Sequence, residues 1–76
     1  MLKYINYIIE SFKNGPMIIK RIWFNPEYMD LFLKDLDKYV DIRSIRLKMY
    51  DGIELKEDKR INAIEIELEI PSYNSL

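Results

Sequence analysis

The chain contains no cysteine, histidine, threonine or glutamine, and only two glycines. Without cysteine it can form neither a disulfide nor a thiolate metal site, so 76 residues must be held by packing, with self-association as a further means. Without histidine, the usual base for a serine nucleophile is missing, and Ser11, Ser44, Ser72 and Ser75 stand in no nucleophile motif. With glycine only at Gly15 and Gly52, neither common kind of phosphate-cradling loop is present, so nucleotide binding has no support in the sequence. No run approaches the roughly 20 apolar residues that cross a bilayer. The start, Met1-Leu2-Lys3-Tyr4-Ile5-Asn6, lacks the basic region, apolar core and small-residue cleavage site of a secretory signal. These absences lead us to expect a cytoplasmic, non-enzymatic protein with no cofactor, no catalytic residues and no membrane partner, acting in a bacterial or archaeal cell, its own or a host's.

What is present describes one globular domain. About half the chain is apolar, at 49%, and 33% is charged, a balance that buries a core instead of leaving the chain disordered. Twelve basic residues against thirteen acidic ones leave no global attraction to nucleic acid or anionic membrane. The excess of Ile, Lys, Asn and Tyr, all with AT-rich codons, points to a low-GC bacterium, an archaeon or one of their viruses.

Leu2, Ile5, Ile9 and Phe12 recur at helical spacing, and Asn14-Gly15-Pro16 supplies stop signals, so residues 2–13 are predicted helical. Tyr4, Tyr7 and Ile8 widen the apolar arc of this helix. Either the helix is wedged between the sheet and a loop, or it also meets a second chain. Residues 17–24, rich in branched and aromatic side chains, form a strand. Its alternation is imperfect: Ile18, Ile22 and Phe24 share a face with Lys20, and Met17, Ile19 and Trp23 share the other with Arg21.

Asn25-Pro26-Glu27 is a helix start in which Asn caps, Pro fits the first position and Glu complements the dipole. Met29, Phe32, Leu33, Leu36, Tyr39 and Val40 form the apolar face of this second helix, which runs to about Asp41. Residues 42–50 then alternate as a strand, with Ser44, Arg46, Lys48 and Tyr50 on its wet side. Asp51-Gly52 is a turn signal, and Ile53 and Leu55 extend the edge as a short strand. Residues 56–60 read as a solvated connection. Residues 61–70 are the strongest strand, with Ile64, Ile66, Leu68 and Ile70 alternating against Glu65, Glu67 and Glu69. Pro71 stops it, and residues 72–76 form a flexible tail after a single domain over 1–71.

The expected fold is therefore α+β, a small mixed sheet of three or four strands with two helices in the order α-β-α-β-(β)-β. A helical crossover makes the strands at 17–24 and 42–50 parallel, a loop makes the last two antiparallel, and we favour the last strand between the other two.

Few constellations carry chemistry. Asp37 and Asp41, one helical turn apart, sit where a solvated helix end would carry charge anyway, so no metal site is assigned. Asp51-Gly52 with Glu54, Glu57 and Asp58 lacks the alternating acids of a calcium loop and reads as a turn. The row Glu65, Glu67 and Glu69 could mimic phosphates, but Arg46 and Lys48 on an antiparallel neighbour would neutralise it. Lys20, Arg21, Arg43, Arg46, Lys48 and Arg60 would make a nucleic-acid surface only if the fold gathered them. Trp23, the single tryptophan, is either a core residue or an interface anchor.

By elimination the expected function is binding another protein through the sheet and the first helix, as a phage or virus accessory protein blocking a host factor or defence complex would do. The candidate contact residues are Tyr4, Tyr7, Ile8, Trp23, Tyr50, Arg46, Lys48, Glu65, Glu67 and Glu69. A homodimer is a further expectation, a nucleic-acid-binding sheet face is the alternative, and a small carboxylate-dependent enzyme ranks third.

Overall fold

In the computed structural model, which describes residues 1–39 and 48–71, the element order is α1 (Leu2–Phe12), β1 (Ile18–Phe24), α2 (Pro26–Asp37), β2 (Met49–Tyr50), β3 (Ile53–Glu57) and β4 (Ile64–Glu69). Among these residues the architecture is α+β: two helices and a four-stranded mixed sheet of order β2-β3-β1-β4. The segment 40–47 lies outside the described residues, and with it the predicted end of the second helix, most of the strand at 42–50 and the side chains of Arg43, Ser44 and Arg46. The predicted tail at 72–76 lies outside them too.

Local signals explain each boundary. α1 ends where Asn14-Gly15-Pro16 follows, and its N-terminal amide at Leu2 donates to Asp35 Oδ2 of α2 at 3.1 Å, which ties the helices together. The Asn25 side chain accepts from the Glu27 N–H at 3.0 Å, with Pro26 at the first helical position. The same side chain donates through Nδ2 to the Ile61 carbonyl at 3.0 Å, which anchors the loop before β4 to the start of α2. Asp51 and Gly52 have φ values of 52° and 78°, the positive pair of a two-residue hairpin turn joining β2 to β3.

The core lies between one sheet face and the helices. Ile5 and Ile9 from α1 and Met29, Phe32 and Leu36 from α2 pack on Ile22, Phe24, Ile53 and Leu55. Phe32 is fully buried, stacked on Phe24 at 5.4 Å and meeting Tyr50 edge-on at 5.2 Å. Tyr39, expected on the apolar face of α2, is instead 74% exposed because the helix closes at Asp37, before the turn that would carry Tyr39 inward.

Four sequence expectations are corrected. The parallel partner of β1 is β3, with Arg21 opposite Glu54 and Trp23 opposite Lys56, whereas β2 returns antiparallel to β3 and so runs antiparallel to β1. A crossover requires only that some later strand be parallel, and the tight Asp51-Gly52 turn hands that place to β3. β4 stands at the sheet edge beside β1, not between two strands. Lys56 and Glu57 belong to β3, because backbone pairing with Trp23 and Phe24 continues through them despite their charge. Finally, the pairing of β1 with β4 shifts register between Ile19 and Arg21. This bulge moves Ile19 to the core side, where it packs half-buried, leaves Ile18 48% exposed and lets both Lys20 and Arg21 reach Glu67.

Candidate functional site

The sheet face opposite the helices is the candidate site. The register sets Arg21 between Glu54 of β3 and Glu67 of β4, and Trp23 between Lys56 and Glu65. Period-two geometry projects all of these side chains to the same side. No helix among the described residues covers them, since α1 and α2 pack on Ile22 and Phe24, which point the other way.

The face is a connected network. The Arg21 guanidinium donates through Nε to Glu54 Oε1 and through Nη1 to Glu67 Oε2 at 2.8 Å. The other Glu67 oxygen accepts from the Trp23 indole N–H at 2.8 Å. Lys20 Nζ lies 4.0 Å from Glu67, and Lys56 Nζ 3.8 Å from Glu54. The hydrogen bond from Trp23, with Arg21 and Lys20 beside it, holds the Glu67 carboxyl below the usual glutamate range. The hydrogen bond to Glu54, with Glu67 nearby, raises Arg21 further above its ordinary value. Solvent-screened pairs of this kind contribute little to stability. Their effect is to fix the rotamers of a half-buried tryptophan and its neighbours in advance of any contact.

The structure separates the sequence candidates into distinct surfaces. Trp23, Glu65 and Glu67 come together on the open face. Tyr4 and Tyr7 are 56% and 73% exposed on α1, across the sheet from Trp23, and Ile8 is half-buried on the same helix. Tyr50 belongs to the helix side, its hydroxyl donating to Asn6 Oδ1 and its ring against Phe32. Lys48 precedes β2 at the edge opposite β4, so it cannot neutralise the acidic row; Arg21 and Lys20 do so at Glu67 instead. Glu69 stands opposite Ile18 at the end of β4. Arg46 lies outside the described residues.

Among the described residues, the basic ones are not gathered into an unpaired patch. Lys20 and Arg21 are held by acids on the open face, and Arg60 is bound to Asp58 at 2.8 Å in the turn after β3. Among the described residues, no three acidic groups are placed to hold a metal ion, and no helix is long and apolar enough to cross a membrane. Sequence reasoning missed the roles of Arg21 and Glu54; the broken alternation at Ile19-Lys20-Arg21 was the available signal of the bulge that creates them. No family model, curated protein or solved structure matches this chain.

Proposed function

We propose that the chain is a small, non-enzymatic protein-binding module whose open sheet face, centred on Trp23, is the contact surface. The observation that supports this is the placement of the only tryptophan on the open side of the sheet, with its indole held by Glu67. A folding core alone would gain more from that ring on the helix side, whereas an aromatic anchor held in a fixed orientation by a Glu67 that Arg21 and Lys20 neutralise suits a desolvated contact. Blocking a host factor or defence complex on behalf of a phage or virus is an action that such a contact surface would serve. The dispersed, acid-paired cations favour a protein over a nucleic acid as the partner.

Affinity capture from a bacterial lysate tests the reading, with Trp23→Ala as comparison and thermal melting to confirm that the variant folds. A stoichiometric protein partner retained by the wild type and lost by the variant supports the sheet face. Equal retention by both moves the contact to α1 or elsewhere. Retention of nucleic acid that weakens steeply with salt replaces a protein partner with a phosphate backbone.

A further inference from the structure

β4 is an open edge. Ile64–Glu69 pairs with β1 on one side and, among the described residues, with no strand on the other, so a row of backbone donors and acceptors faces outward. The opposite edge, β2, is only two residues long. The two faces of the β4 edge differ in chemistry. On the open face, Glu67 is paired with Arg21, but the exposed Glu65 and Glu69 have no ion pair among the described residues. On the helix side, Ile64 joins Tyr4, Tyr28 and Ala63 in a shallow depression of about 360 Å³.

This combination selects the occupant. A second copy pairing antiparallel through its own β4, with helices on the same side, sets one glutamate row beside the other, where like charges destabilise. Only parallel pairing of the two β4 edges turns the helices to opposite sides, and it sets each glutamate beside an apolar residue of the other copy. We infer that the β4 edge binds an extended segment of a different protein in which Lys or Arg alternates with apolar residues. Main-chain bonds continue the sheet, the basic side chains meet Glu65 and Glu69, and the apolar ones lie beside Ile64 and enter the depression under Tyr4 and Tyr28. The inference rests on the protein-binding reading above but uses a different element from Trp23.

The test uses the full chain, isotopically labelled, and two blocked seven-residue peptides that alternate valine with lysine or valine with glutamate. The lysine peptide is expected to shift the backbone amide resonances of residues 64–69 and slow their exchange, while the glutamate peptide does not. Glu65→Lys with Glu69→Lys should weaken the lysine peptide at least tenfold and reverse the preference. Glu65→Gln with Glu69→Gln should weaken it by a smaller factor and serves if the double lysine variant does not fold. Shifts confined to other elements, equal affinity after charge reversal, or no binding at millimolar peptide overturn the inference. Slowed exchange in β4 that grows with protein concentration alone also overturns it, in favour of a second copy. Loss of peptide binding in a chain whose lysate partner still requires Trp23 removes only the edge; the reverse pattern removes only the sheet face.

Discussion

Trp23 donates its indole N–H to Glu67 Oε1 at 2.8 Å across a diagonal of the β1–β4 pair, passing over Glu65, which stands directly opposite it. The diagonal is reached because Arg21, one turn of the pleat away, draws the other Glu67 oxygen to itself. One carboxylate thus fixes an aromatic ring and a guanidinium on the same face.

That arrangement has a pH signature. Glu67 is held below the ordinary glutamate range, so its favourable interaction is complete above the unfolded value of about 4.3 and is lost as pH falls through the lower native value. Emission from the single tryptophan should change with a midpoint below that ordinary value, and Glu67→Gln should flatten this transition. A wild-type midpoint at or above the ordinary value would show that the indole and carboxylate are not bonded in solution.

Asp58 titrates on its own in the turn after β3. The Arg60 side chain and backbone N–H both donate to it and lower its pKa to about 2. Its contribution to stability is present above the unfolded value of about 3.9 and disappears as pH falls from there to about 2. Thermal melts should show Asp58→Asn less stable than the wild type at neutral pH, with the gap narrowing in acid. A gap independent of pH would assign the loss to the turn's geometry.

Asn25 serves two elements at once, capping α2 through Oδ1 and holding the Ile61 carbonyl through Nδ2. Asn25→Ala should cost about 1–2 kcal/mol in urea denaturation, the range of a lost cap. Asn25→Asp keeps the cap but turns an acceptor towards the Ile61 carbonyl, so it too should fall below the wild type. Full recovery by aspartate would leave capping as the only role.

Packing sets the largest expected loss. Phe32 is fully buried between Phe24 and Tyr50, and Phe32→Ala should cost about 3–5 kcal/mol. That is much of the roughly 5–15 kcal/mol available to a typical domain. Ile22→Val, at the centre of the sheet, should cost about 0.5–1.5 kcal/mol and remain measurable if Phe32→Ala unfolds.

The exposed tyrosines behave differently. Tyr7 is 73% and Tyr4 56% exposed, so replacing both with serine should shift stability by less than about 1 kcal/mol. Light scattering across a concentration series then isolates their other role: a wild-type dimer that becomes a monomer in the variant places them at a self-association surface. Loss of stability without change of mass places them against the chain itself.

The element types are legible in the chain, because hydrophobic period, capping and turn chemistry act over a few residues. Asn25-Pro26-Glu27 opened a helix, Asp51-Gly52 made a turn, and the alternation of Ile64, Ile66 and Leu68 with glutamates made a strand. That Glu65 and Glu67 share a strand face is legible in the chain too. Which strands meet is not legible there, since pairing partners distant in sequence are chosen by the packing of the whole sheet on its helices. β3 rather than β2 took the parallel place beside β1, β4 went to the edge, and a bulge at Lys20 turned Ile19 inward. Those long-range choices, invisible to local periodicity, brought Arg21 between Glu54 and Glu67, set the Trp23 indole on Glu67 and left the acidic edge open.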